Sequence, residues 1–137
     1  MKILVADDDS RSRELTREIL QAQGYQVAEA CDGRQALEAL AEALPDLVLL
    51  DIQLPFVDGF AVLRQLRQHP GGAAVPVIAL TARAMRGDRE KVLAAGFDAY
   101  ISKPVDRRRL TKEIERLVQA KLSGGRREGD SSPPGRR

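Results

Sequence analysis

The stretch Asp46-Leu47-Val48-Leu49-Leu50-Asp51 constrains this chain more than any other. Four apolar residues in a row, bounded by polar ones, read as a strand buried on both faces. Such strands belong to parallel sheets covered by helices on each side. The run ends on a carboxylate, and open α/β sheets place their ligands beyond the carboxyl ends of the strands. Pro55 follows closely, where it stops further sheet pairing and stiffens the exit loop. On its own Asp51 reads equally well as a cap or turn residue, so the rest of the chain has to decide.

The remaining sequence alternates strand and helix signals. Lys2 to Ala6 reads as a first strand, followed by Asp7-Asp8-Asp9-Ser10. Helical spacing over Glu14 to Gln23 puts Leu15, Ile19 and Leu20 on one face, with Ser10 as N-cap and Gly24 as the stop. Tyr25 to Ala30 is a second strand and Asp32-Gly33 a turn. Ala36, Leu37, Leu40 and Leu44 mark a second helix, closed by Pro45. After the central strand, Asp58-Gly59 opens a third helix. Val75 to Leu80 is a fourth strand, interrupted early by Pro76, with Thr81-Ala82 at its end. A helix from about Gly87 to Ala95, a short strand from Asp98 to Ile101 and a helix from Arg107 to Leu122 complete the pattern. Five βα repeats imply a parallel sheet with right-handed crossovers.

The chain has 137 residues and one cysteine, enough for a single cored domain and too few thiols for a disulfide or a cysteine-cluster metal site. No stretch is long enough to span a membrane and no leader opens the chain, so a cytoplasmic protein with no membrane partner is expected. Net charge is +2, but residues 121–137 carry five basic side chains against two acidic ones, leaving −1 on the rest. The basicity belongs to a tail, and direct DNA binding is not expected. The expected organisation is one domain over residues 1–122 and a disordered basic tail over 123–137.

Strands one, three, four and five end in Asp7-Asp8, Asp51, Thr81 and Lys103. In a doubly wound sheet those ends share one edge, so three acids, a hydroxyl and an amine would meet in one crevice. Clustered carboxylates call for a proton or a cation. Mg²⁺ suits oxygen ligands with room left for phosphate, and an Asp can itself accept a phosphoryl group. Lys103 and the cation would neutralise the phosphoryl charge, while Thr81 would donate a hydrogen bond to it.

In these motifs and their order, residues 2 to about 120 resemble the receiver domains of two-component response regulators. The resemblance implies a flavodoxin-like α/β fold, a doubly wound five-stranded parallel sheet of order 2-1-3-4-5. It implies Asp51 as phosphoacceptor, with Lys103 and Thr81 as its catalytic partners. Asp7, Asp8, Asp51 and the backbone carbonyl of Gln53 become the Mg²⁺ ligands, with Mn²⁺ as an alternative ion. Thr81 and Tyr100 become the switch pair, and Gln53 and Arg83 flank the phosphoryl group and tune its lifetime. The Lys103-Pro104 bond is expected to be cis. The wording of Gln21-Ala22-Gln23-Gly24-Tyr25, Asp51-Ile52-Gln53-Leu54-Pro55 and Ala99-Tyr100-Ile101-Ser102-Lys103-Pro104 is similar to stand-alone receivers of the DivK kind, and is shared with receivers fused to hybrid kinases.

What the resemblance implies about function is signalling. A histidine kinase or histidine phosphotransfer protein would donate to Asp51, and the chain would catalyse only its own phosphorylation and dephosphorylation. A downstream signalling protein would bind the face of the fourth helix, fifth strand and last helix, with Arg108 and Lys112 on it. The chain would be a monomer or a phosphorylation-dependent dimer. A small Mg²⁺-dependent phosphohydrolase of the haloacid-dehalogenase type is the rival reading, since Asp7-Asp8-Asp9 nominally matches its D-x-D pattern. Arg11 stands where that family expects Thr or Val, and only Asp106 offers its later acidic motif. A third reading is a binding module without phosphorylation, a degenerate receiver or a flavin carrier; the intact acidic pair and lysine oppose the first, and this chain has no Ser/Thr-rich phosphate-cradling loop after strand one for the second.

Overall fold

The computed structural model describes residues 1–82 and 87–123. It divides into an α/β unit, Met1–Asp106, and a second unit that begins at Arg107. Within the first unit the elements run β1 (Lys2–Ala6), α1 (Ser10–Ala22), β2 (Gln26–Ala30), α2 (Gly33–Glu42), β3 (Leu47–Asp51), α3 (Gly59–Gln68), β4 (Val77–Thr81), α4 (Asp88–Ala94) and β5 (Ala99–Ser102), with a single 3₁₀ turn at Gly72–Ala74. The second unit is the helix α5 (Arg107–Ser123), whose Leu110, Ile114 and Leu117 recur at helical spacing along one stripe.

All strand pairs are parallel and the sheet order is β2-β1-β3-β4-β5. Every residue of β3 and of β4 is buried, as two covered faces require. Leu4, Ala6, Val48, Leu50, Val77 and Ala79 pack with Leu40 of α2, Val62, Leu63 and Leu66 of α3, and Val92 of α4. Ile3, Val5, Leu47, Leu49, Ile78, Leu80 and Ile101 alternate with them along the strands and are fully buried on the opposite face. Each buried Leu or Ile contributes about 1.5–3 kcal/mol relative to exposure.

Three helices of this unit start on an Asp cap. Asp9 accepts from Arg11 and Ser12 amides, Asp32 from Gln35, and Asp58 from Ala61. The first of these differs from expectation. Asp9 takes the cap and Ser10 is already helical, so α1 starts four residues before Glu14, where the helical spacing begins. β2 starts at Gln26, because the Tyr25 amide turns back to Leu20 and finishes the helix end. β4 starts after Pro76, which has no N–H for the ladder, although its carbonyl still accepts from Val48. Thr81 is therefore the last residue of the strand. The Lys103-Pro104 bond is cis, as expected. The basic tail expected over 123–137 lies outside the described residues from position 124 onward.

Two glycines let helices approach the loop after β3. A Cβ on Gly33 would sit 1.8 Å from the Val57 carbonyl oxygen, and one on Gly59 would sit 2.6 Å from the Asp51 carbonyl oxygen. The loop between them carries Phe56, at φ +69 and 72% exposed, with the Arg34 guanidinium stacked 3.8 Å above its ring.

Candidate functional site

In this strand order the chain reverses direction across the sheet between β1 and β3, the point at whose carboxyl edge open α/β sheets form their ligand crevice. Asp7 follows β1 and Asp51 ends β3, so the two acids flank that crevice. Asp7 is fully buried and Asp51 is 3% exposed, while Asp8 faces solvent. Oxygen atoms of all three carboxylates lie within 4.8 Å of one another.

Lys103, just past β5, reaches between the two buried acids. Its Nζ donates to Asp7 Oδ1 at 2.8 Å and to Asp51 Oδ2 at 2.6 Å. Asp51 Oδ1 accepts from the Gln53 amide at 2.8 Å, and Asp7 Oδ1 also accepts from the Asp9 amide at 3.0 Å. One oxygen is left over. Asp7 Oδ2 is buried with no hydrogen-bond partner among the described residues. A buried carboxylate oxygen without a partner is costly. A hard cation bound among Asp7, Asp8 and Asp51 removes that cost, so the residues present fit a divalent ion with oxygen ligands.

Charge points the same way. Burial pushes the Asp51 carboxyl above its usual range, against the bonds from Lys103 and Gln53. Burial pulls Lys103 down, but its bonds to Asp51 and Asp7 outweigh this and hold the ammonium above its ordinary value. Three carboxyl groups gathered around the single Lys103 ammonium leave room for a further positive charge.

The other expected residues fall as follows. Thr81 is buried at the end of β4, and its carbonyl accepts from the Lys103 amide at 2.7 Å. Tyr100 pairs with Ala79 and Ser102 with Thr81, so Thr81 and Tyr100 lie on the same face of neighbouring strands, one pleat apart. The ring of Tyr100 is buried, 7% exposed, and packs in the core cluster. The side chain of Gln53 is exposed beside Asp51. Arg83 lies outside the described residues. Beyond Lys103, a groove of about 380 Å³ is lined by Asp9, Arg11, Ser12 and Leu15 of the α1 end and by Ala82, Pro104 and Val105.

Sequence reasoning missed Arg13. Its guanidinium donates to the Asp7 carbonyl at 2.8 Å and to Glu29 at 3.0 Å. Nothing in the helical spacing distinguishes it from Arg11 or Arg17, because the contact depends on where α1 lies over the end of β1. Of the two close-approach glycines, Gly33 was legible only as a turn residue and Gly59 only as a helix start.

Comparison with known proteins agrees with this geometry. Residues 3–115 match the response regulator receiver domain family. The polar-differentiation response regulator DivK of Brucella anthropi is 38% identical over 113 residues, 82% of this chain and 92% of that protein. The receiver domain of a sensor histidine kinase from Pseudomonas aeruginosa PAO1, solved with a magnesium ion in its active-site cleft, superposes with a TM-score of 0.79 at 36% identity, covering 86% of this chain and 97% of that one. A CheY-like receiver from Methanospirillum hungatei JF-1 superposes with a TM-score of 0.78 at 33% identity, covering 90% and 98%. The chain belongs to the receiver domain family of the response regulators of two-component signalling.

Proposed function

We propose that Asp51 accepts a phosphoryl group from a histidine kinase or histidine phosphotransfer protein and that the chain signals through phosphorylation-dependent protein contacts. The observation that carries this is the pair of short bonds from Lys103 to Asp51 and Asp7, beside a buried Asp7 oxygen left open. An Asp51 oxygen attacks phosphorus, the bond from phosphorus to the donor's imidazole nitrogen breaks, and that nitrogen retains the electron pair. Mg²⁺, when bound by Asp7, Asp8, Asp51 and the Gln53 carbonyl, supplies charge neutralisation for the transferring group. Lys103 holds the Asp51 carboxylate in place and balances charge as it develops. The groove beside Lys103, with the 41%-exposed Leu15 at its rim, suits the approach of the donor protein. The magnesium in the Pseudomonas receiver supports the choice of ion.

Phosphate on Asp51 offers an acceptor to the Thr81 hydroxyl, and Thr81 shares a sheet face with Tyr100. The ring is already inward in this structure, so phosphorylation acts by favouring this arrangement over an outward one. The surface that changes is α4 and β5, together with the Arg108 and Lys112 face that the resemblance assigns to α5. Gln53, and Arg83 by position, tune access of water to the phosphoryl group. The test is labelling by acetyl phosphate with Mg²⁺. Acid- and base-labile phosphate is expected on the wild type and absent from Asp51→Asn. Undiminished labelling of that variant refutes the assignment. The phosphohydrolase reading predicts sustained p-nitrophenyl phosphate turnover, which the receiver reading does not.

A further inference from the structure

Arg13 sits in the first turn of α1 and is bonded at both ends of its guanidinium. Nη1 donates to the Asp7 carbonyl at 2.8 Å, and Nε donates to Glu29 Oε1 at 3.0 Å. The other Glu29 oxygen accepts from Arg17 Nη1 at 3.0 Å. Glu29 on β2 thus braces Arg13 against the peptide that joins Asp7 to Asp8. The Asp7 amide is fixed as well, donating to the Ala30 carbonyl at 3.0 Å. With Asp7 Oδ1 taken by Lys103 and the Asp9 amide, the open Oδ2 is left with one direction.

We propose that Arg13 is a positioning residue for the divalent cation: by holding the Asp7–Asp8 peptide it makes the two carboxylates converge with Asp51. The proposal rests on the phosphoacceptor reading and deepens it. Its sign separates it from a plain charge effect. As a nearby positive charge Arg13 repels a cation, so its removal should tighten Mg²⁺ binding. As a brace it preorganises the ligands, so its removal should weaken binding, by roughly tenfold or more for partners of this kind. Arg17 provides the control, because it shares Glu29 but no bond from it to Asp7 is involved.

The experiment is calorimetric titration of MgCl₂ into the full chain, with the fold of each variant checked by circular dichroism. Arg13→Met is expected to bind roughly tenfold more weakly, and Arg17→Met as the wild type does. Arg13→Lys keeps the charge but not the fork that spans both acceptors, so it too is expected to weaken binding. Wild-type or tighter affinity in a folded Arg13→Met overturns the proposal. Should Arg13→Met not fold, Glu29→Gln loosens the brace with Arg13 in place; weaker binding supports the proposal and unchanged binding overturns it. Failure of the wild type itself to bind Mg²⁺ would instead overturn the cation site of the phosphoacceptor reading, and this inference with it.

Discussion

Gly59→Ala tests whether the helix that follows β3 holds the site in place. Gly59 is the first residue of α3, and helix propensity alone favours Ala there by up to about 1 kcal/mol. Packing opposes it. The added Cβ would lie 2.6 Å from both the Asp51 carbonyl oxygen and the Ile52 Cα, against an ordinary contact of 3.4 Å or more. Opening the gap from 2.6 to 3.4 Å moves backbone by 0.8 Å, and the obstacle is not a side chain that can swing away. Overpacking costs about 1–3 kcal/mol, and the upper part of that range, about 2–3, applies where backbone is the obstacle, so the net loss after the propensity gain is roughly 1–2 kcal/mol. With a urea slope of about 2 kcal/mol per molar, the midpoint falls by roughly 0.5–1 M. The function should suffer more, because the displaced peptide is that of Asp51. A shift near 1 Å at a reacting group can cost about a hundredfold, so labelling by acetyl phosphate should slow by tenfold or more. Gly24→Ala is the control. Its φ is +92 with nothing within 4 Å of the new Cβ, so it costs about 1–2 kcal/mol through handedness alone and should label normally. A Gly59→Ala protein that is as stable as the wild type, or that labels at the wild-type rate, refutes the reasoning.

Lys103→Met removes a cation bonded to two carboxylates that are each under 5% exposed, so in Mg²⁺-free buffer it should cost roughly 3–5 kcal/mol in urea unfolding. Added Mg²⁺ should recover part of that loss, and no recovery would count against a cation site among these acids. Glu29 is pushed up by burial, but its bonds from Arg17 and Arg13 prevail and hold its carboxyl below its ordinary value. A depressed carboxyl stabilises the fold above its unfolded pKa and loses that contribution as pH falls through its folded one. The stability difference between wild type and Glu29→Gln should therefore be full at neutral pH and fade on acidification below about 4.5; a difference independent of pH would show that the ion pairs are not its source. Thr81→Ala should leave Asp51 labelled yet abolish the phosphorylation-dependent change in partner affinity, measured in parallel on the same samples.

Most of the architecture was legible because burial writes itself into local pattern. Leu47 to Leu50 announced a two-sided strand, and the five carboxyl ends followed from the alternation. Element ends were less legible, since they depend on which of two polar neighbours takes a cap. Asp9 rather than Ser10 caps α1, and Pro76 delays β4 by its missing donor. The gathering of Asp7, Asp8, Asp51 and Lys103 followed once the sheet was parallel. The Arg13 bond to Asp7 and the inward ring of Tyr100 did not follow, because both depend on side-chain direction across packed elements, which spacing along the chain does not encode.

The two bonds of Lys103 span 96 and 52 positions of the chain. Synthesis therefore delivers Asp7, Asp8 and Asp51 well before the ammonium that will sit between them, and a domain folds as a unit rather than strand by strand. Without β5, strand β4, which is interior in the finished sheet, becomes an edge, and the acids lack the ammonium that bonds two of them. Charge balance at the crevice thus serves as a proof of completion for the sheet. A chain cut short before Ala99 inherits an unpaired strand edge and a knot of mutually repelling carboxylates, rather than a weakened version of the site.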